Sequence, residues 1–186
     1  MKKSLLVSIL FLLIGGFFAL SVVADDKHDH NTLVKFKGGI GVHPVSNVSG
    51  TQNANLSFPD VTRNIVQGVN PAGQLWVIRN LEARVKTNGD IKAEGKGLVL
   101  AGGNNIGRAT GQSVFATLFC GTTTVTEHST TATGVALTID GDFKIDDVLM
   151  PIPPADCASP VLLIRNAIGG TWFAAGILDL DDHDRR

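Results

Sequence analysis

Residues 81–95 (LEARVKTNGDIKAEG) constrain the fold most, because charged and apolar or small side chains alternate on both sides of a glycine-containing turn. Alternation with a period of two is typical of a strand with one buried and one solvated face. A two-residue loop would place Val85 opposite Lys92 and so join a buried face to a solvated one. A three-residue loop ending at Gly89 instead pairs Val85 with Ile91 and gives the glycine the left-handed position of this loop class. The segment predicts an antiparallel hairpin.

A second segment, GVALTIDGDFKID, follows the same pattern. A three-residue loop ending at Gly141 pairs Leu137 with Phe143 and Val135 with Ile145, again with glycine in the last position of the loop. In both segments, a three-residue loop is the one that pairs apolar residues with each other. The two segments together indicate an antiparallel sheet with one solvated face.

The other segments also favour an all-β fold. Outside one candidate helix of two turns at most, residues 60–67, the apolar residues alternate or form short blocks between glycine, proline and asparagine. Residues 160–178 are apolar on both faces around a Gly169-Gly170 turn, which indicates strands buried between layers or a face covered by a second subunit. We predict an antiparallel β-sandwich, jelly-roll-like or a related barrel, with self-association through the apolar C-terminal strands left open.

The first 24 residues have the pattern of a secretory signal peptide. Lys2 and Lys3 precede an uncharged apolar run, and Val22 and Ala24 are the small residues before the expected cleavage site. The alternative is a retained membrane anchor, because the run is about as long as a bilayer span. We expect cleavage after Ala24, a secreted or periplasmic location, and no stable membrane insertion afterwards.

The remaining chain divides into a single domain with two short tails. We expect a flexible His/Asp-rich tail at residues 25–31, one β-sandwich domain at residues 32–178, and an acidic, histidine-containing tail at residues 179–186. The formal net charge of the whole sequence is −1, and charges of both signs are mixed along it. Because no basic stripe is present, the sequence excludes nucleic acid as the expected partner.

The sequence contains two cysteines, Cys120 and Cys157. An even number of cysteines in an exported chain predicts a disulfide. The bond would stabilise the fold by about 4 kcal/mol in the chain-entropy description. The alternative is a pair of buried free thiols.

The segment LVLAGGNNIGRATG resembles a phosphate-binding loop only in part. Gly102 and Gly107 have the required spacing, but Arg108 and Ala109 stand where a P-loop has lysine and a metal-binding hydroxyl. The residues from Ser113 onward have the pattern of another strand, whereas a phosphate site needs a helix N-terminus there. We therefore expect a loop without nucleotide.

Histidine and aspartate residues near both ends of the chain could bind a transition metal. His28 and His30 precede the domain, and Asp181 and His183 follow it. Imidazole and carboxylate groups are ligands for zinc, copper or nickel. The alternative is two solvated, flexible tails that bind nothing, so a metal cofactor is an open hypothesis.

No complete catalytic motif is present in the sequence. His43 and His128, the histidines within the domain, are candidate catalytic residues. Glu82 and Glu94 would lie opposite each other in the first hairpin, either as a solvated pair or as a catalytic acid and base. Ser113 stands two residues after Gly111, as in a nucleophile elbow, but the second glycine of that motif is missing.

A sugar site with exposed aromatic platforms is not indicated, because Trp76 and Trp172 lie in apolar strands where core packing is expected.

These patterns together predict an exported, non-enzymatic β-sandwich protein that acts as a structural or binding module of the cell envelope or extracellular space. Its ligand and partners are not evident from the sequence. Two alternatives remain: an extracytoplasmic metal-binding protein that uses the termini, and a hydrolase whose site is assembled from residues distant in sequence.

Overall fold

The computed structural model describes residues 31–180, which form thirteen β-strands and no helix. The strands are β1 Thr32–Gly41, β2 Val45–Ser49, β3 Asp60–Arg63, β4 Trp76–Val77, β5 Asn80–Lys86, β6 Asp90–Lys96, β7 Val99–Leu100, β8 Ser113–Cys120, β9 Thr126–Ser129, β10 Val135–Ala136, β11 Phe143–Val148, β12 Val161–Asn166 and β13 Trp172–Leu178. Every pairing between these strands is antiparallel. The prediction of an all-β, antiparallel fold is confirmed.

One continuous sheet carries most of the fold. Its strands follow the order β10-β8-β12-β13-β1-β5-β6-β11, with β9 paired to β8 beside β10. The end strands β10 and β11 approach each other, so the sheet is nearly closed and barrel-like and encloses the core. Two small sheets, β2–β3 and β4–β7, flank it. The sequence predicts a β-sandwich, jelly-roll-like or a related barrel, and this sheet is barrel-like.

The β5–β6 hairpin has the predicted register. Val85 lies opposite Ile91, and Ala83 lies opposite Ala93. All four side chains face the core and are buried, while the alternate residues of both strands are exposed. Gly89 has φ +89°, the left-handed conformation expected at the last position of the loop. The local alternation therefore determines this element.

The second predicted hairpin forms only at its tip. Thr138 N donates to Asp142 O at 2.9 Å, and Gly141 has φ +79°, as a three-residue loop requires. The pairing of Val135 with Ile145 is wrong, because β10 pairs with β8 and β11 pairs with β6. The arms diverge at once, since the Leu137 N–H already donates to the Gln112 carbonyl of the chain leading into β8 (2.9 Å).

The candidate helix at residues 60–67 is also wrong, because its first half is strand β3. Val61 pairs with Val48 of β2, and the Asp60 carboxylate accepts the N–H of the adjacent Val61 (2.7 Å) instead of capping a helix. A strand partner nearby in sequence satisfies the backbone groups that a helix of two turns would have satisfied internally.

A disulfide joins Cys120 at the end of β8 to Cys157 in the loop before β12, with the two Cα atoms 4.8 Å apart. The predicted disulfide is confirmed. The neighbouring strand β12 is buried on both faces. Part of its outer face is covered from within the chain, where the Arg165 guanidinium lies 5.1 Å from the centre of the Phe115 ring and pairs with Glu127.

Candidate functional site

A cleft at one end of the sheet is the candidate functional site. Three connections converge on it: residues 70–75 before β4, residues 101–112 between β7 and β8, and residues 167–171 between β12 and β13. Its volume is about 380 Å³, within the range of roughly 300–1,000 Å³ found for small-molecule sites. The lining residues are all uncharged: Ala72, Gly73, Gln74, Trp76, Leu100, Asn105, Thr110, Gln112, Asn166, Thr171 and Phe173.

Two stacked aromatic rings form an apolar wall of the cleft. The ring centroids of Trp76 and Phe173 lie 4.2 Å apart, with an angle of 13° between the planes. Both side chains are almost fully buried. The backbone N–H of Trp76 donates to the Val42 carbonyl (3.1 Å), just beyond the end of β1. Because each ring covers one face of the other, the pair forms a rigid wall and does not offer two open platforms.

A pair of side-chain amides provides a fixed polar group. Asn166 Oδ1 accepts the N–H groups of Ile168 (3.1 Å) and Gly169 (2.6 Å). These bonds orient Asn166 Nδ2, which donates to Gln112 Oε1 at 2.7 Å. The other end of this second amide, Gln112 Nε2, makes only a long contact of 3.4 Å with the Thr110 carbonyl. Gln112 is thus held in place and retains hydrogen-bonding capacity.

Four more polar side chains at the cleft have no hydrogen-bond partner within residues 31–180. They are the side chains of Gln74, Asn105, Thr110 and Thr171. Amides and hydroxyls can both donate and accept hydrogen bonds, and such groups are satisfied by water or by a ligand. The cleft therefore combines an apolar wall with several polar groups that are open to a further partner.

The backbone at Thr110 is strained. Its φ is +53°, in the left-handed region that β-branched residues rarely adopt. The preceding residue, Ala109, is fully buried, so the surrounding structure holds the chain in this conformation. Strain of this kind, about 1–3 kcal/mol for a residue, is concentrated at functional sites.

The glycine-rich segment at residues 98–111 contributes to the cleft and leads into a strand, whereas a phosphate-binding loop leads into a helix. Gly103 and Gly107 both have φ +77°, and the Gly107 N–H donates back to the Leu100 carbonyl at 2.8 Å. Strand β8 begins at Ser113, so no helix N-terminus follows the loop. The prediction of a loop leading into a strand is confirmed.

A wider groove of about 450 Å³ crosses the charged outer face of β1, β5 and β6. Glu82 lies directly opposite Glu94 there. The Lys144 ammonium donates to Glu94 at 2.7 Å, and this hydrogen bond and its charge lower the pKa of Glu94 below the ordinary value. Lys92 pairs with Asp146 at 3.2 Å. Because Glu94 is held ionised in a network of paired charges, it lacks the raised pKa of a general acid.

The two histidines of the domain lie outside the cleft. His128 is buried, and its ring nitrogens contact the Pro151 carbonyl (2.6 Å) and the Thr126 hydroxyl (2.8 Å). Since a carbonyl only accepts, His128 Nδ1 is the donor to Pro151, and the ring links β9 to the proline-rich loop. His43 is exposed. The structure does not bring either ring together with Ser113 or with a carboxylate in the cleft.

The four candidate metal ligands, His28, His30, Asp181 and His183, lie outside the described residues, so their hypothesis stays a prediction. Between residues 31 and 180, no three histidine, cysteine, aspartate or glutamate side chains are grouped so that they could hold a metal ion. In the same part of the chain, no helix has the length and apolar character needed to cross a membrane.

The cleft residues were not identified from the sequence. Gln74, Asn105, Gln112 and Asn166 are isolated amides in glycine-rich or turn segments, and no spacing between them indicates that they meet. Their juxtaposition follows from the strand order, in which β8, β12 and β13 are neighbours. Comparison with known proteins found no family model, no curated protein and no solved structure that matches this chain.

Proposed function

We propose that this chain is an exported, non-enzymatic binding module whose cleft holds a small, uncharged, polar ligand. The observation that carries the proposal is the lining of the cleft, in which uncharged side chains surround an apolar wall and four polar side chains have no partner in the described protein. Ligand sites are usually concave and mostly apolar with a few convergent polar groups, whereas amides and hydroxyls make up six of the eleven residues that line this cleft, which favours a polar ligand. Connections held by a rigid sheet commonly carry such sites.

Export is supported by two independent features. The N-terminal pattern is that of a cleavable signal peptide. The Cys120–Cys157 bond belongs in an oxidising compartment, because cytosolic reductants keep thiols reduced. A secreted or periplasmic binding module is consistent with both features.

A binding role is favoured over hydrolysis by the chemistry of the same lining. General acid–base catalysis needs a group whose pKa lies near the working pH. The cleft residues are amides, hydroxyls, glycines and apolar side chains, which do not titrate near neutral pH. The arrangement can orient a ligand through hydrogen bonds and shield one of its faces from water.

A thermal-shift screen of the purified protein tests this proposal. The compounds are matched sets of uncharged, anionic and cationic small molecules, including polyols, sugars and dipeptide amides. A ligand that binds only the folded state raises the melting temperature, and the stabilisation grows with the logarithm of the ratio of ligand concentration to Kd. We expect stabilisation mainly from the uncharged set, with a smaller shift in a Gln74→Ala/Asn105→Ala double variant.

The exposed pair Asn104→Ala/Thr122→Ala is the control, since neither residue lines the cleft. Stabilisation that persists undiminished in the cleft variant, or stabilisation by charged compounds alone, would overturn the proposed function.

A further inference from the structure

We infer that the ligand of the cleft is a neutral saccharide, an inference that rests on the proposed function. The cleft pairs an apolar wall, Trp76 and Phe173, with the amide of Gln112 and the unpartnered polar side chains around it. A neutral sugar carries a rim of hydroxyl groups that suits these polar side chains, while the two buried rings form only the back of the cleft. Each hydroxyl both donates and accepts, and so do the amides and hydroxyls of the cleft.

The lack of charge in the lining selects against ionised ligands. A carboxylate, phosphate or ammonium group loses hydration when it enters a cleft, and without an opposite charge this loss is not compensated. None of the eleven lining residues is charged. Nucleotides, uronic acids and amino sugars with a free amine are therefore disfavoured relative to neutral sugars of the same size.

The position of the cleft favours a saccharide over a peptide. Peptides in extended conformation commonly add a strand to an exposed sheet edge and bind through backbone groups. This cleft is bounded by connections between strands, and the open groups are side chains, mainly those of Gln74, Asn105 and Thr171. Side-chain amides at the surface suit a ligand whose recognisable groups are scattered hydroxyls.

The volume of about 380 Å³ is at the small end of the range for ligand sites. The cleft therefore accommodates a short segment of a saccharide, and the rest of a longer chain would extend into solvent. Because the aromatic wall offers no open ring face, polar contacts supply most of the specificity.

Calorimetric titration of the purified protein tests the inference. The probes are the neutral trisaccharides N,N′,N″-triacetylchitotriose, cellotriose, maltotriose and mannotriose, together with two charged trisaccharides, the cationic, fully deacetylated chitotriose and the anionic trigalacturonate. We expect at least one neutral trisaccharide to bind with a Kd in the range of about 1 μM to 1 mM. The two charged trisaccharides should bind about tenfold more weakly than this neutral one or not at all.

Adjacent residues provide a matched pair of variants. Asn105→Ala should weaken binding about three- to tenfold, the usual effect of one lost hydrogen bond, whereas Asn104→Ala on the same loop should leave it unchanged. Both side chains are exposed, so neither substitution should prevent folding. Tryptophan fluorescence locates the site. We expect the ligand to change the fluorescence of Trp76, so this change should be lost in a Trp76→Phe variant and kept in a Trp172→Phe variant.

The outcomes separate the two proposals. If dipeptide amides bind at the cleft and none of the neutral trisaccharides does, the saccharide inference is overturned and the binding function stands. If a trisaccharide binds equally to the wild type and to Asn105→Ala with no change in Trp76 fluorescence, it binds elsewhere and the inference is also overturned. If no uncharged probe binds, both proposals fail.

Discussion

Thr110 brings together two properties that rarely occur in one residue. Its side chain is exposed at the cleft without a hydrogen-bond partner among residues 31–180, and its backbone has φ +53°. Gly111, with φ +68°, continues the left-handed path without strain. If stability alone determined the sequence, glycine would be favoured at position 110 as well. A threonine at this position is therefore consistent with a hydroxyl that serves the ligand at some cost in stability.

Thr110→Gly should stabilise the fold and weaken binding. Relief of the left-handed strain should raise the free energy of unfolding by about 1 kcal/mol, even though glycine adds entropy to the unfolded chain. Urea denaturation measures this change. In the control Thr122→Gly, at an exposed loop position with no positive φ, we expect a small loss of stability. A destabilised Thr110→Gly variant would show that the threonine stabilises its loop.

The two turn glycines show how far sequence patterns determine single elements. The β5–β6 hairpin follows from its own alternation, because both strands of the pair are adjacent in the chain and share one buried face. At Gly141 the same argument identifies the turn but not the partners of its arms. Those partners, β6 and β8, are distant in sequence, and the local pattern contains no information on which edge each arm joins. The prediction fails where pairing becomes non-local.

The two turn glycines also differ in the space around them, which predicts unequal effects of alanine substitution on stability. A Cβ at Gly141 would lie 2.2 Å from the Leu98 carbonyl oxygen, whereas a Cβ at Gly89 would lie 3.1 Å from the Leu149 carbonyl oxygen. Both variants carry the cost of positive φ, but only Gly141→Ala forces two backbone segments apart. We expect a loss of about 1–2 kcal/mol for Gly89→Ala and a clearly larger loss for Gly141→Ala, measured by chemical denaturation. Equal losses would contradict the close approach at Gly141.

In the whole molecule, the strand order of the sheet creates the cleft. The connections that line it lie far apart in the sequence and meet because β8, β12 and β13 are neighbours in the sheet. The all-β class and the disulfide could be predicted from composition, alternation and cysteine count. The site could not, because isolated amides such as Gln74 and Asn166 have no motif until the topology brings them together.

The disulfide should contribute substantially to the stability of this closed sheet. Cys120 and Cys157 are 37 residues apart, and a loop of that length corresponds to about 4 kcal/mol in the chain-entropy description. Reduction should lower the melting temperature markedly, and a thiol assay on the unfolded, unreduced protein should detect no free thiol. A Cys120→Ala/Cys157→Ala variant should melt like the reduced protein. Unchanged melting after complete reduction would contradict this role.

The most direct test of the central claim is a map of where ligand binds, from 15N–1H NMR of the protein titrated with the uncharged compound that stabilises it most. We predict that the largest shifts occur at the backbone amides of Gly73, Asn105 and Thr171, on the three converging connections. The amides of Glu82 and Lys92, on the charged outer face, should not move. Saturable shifts on that face with none at the cleft would contradict the account.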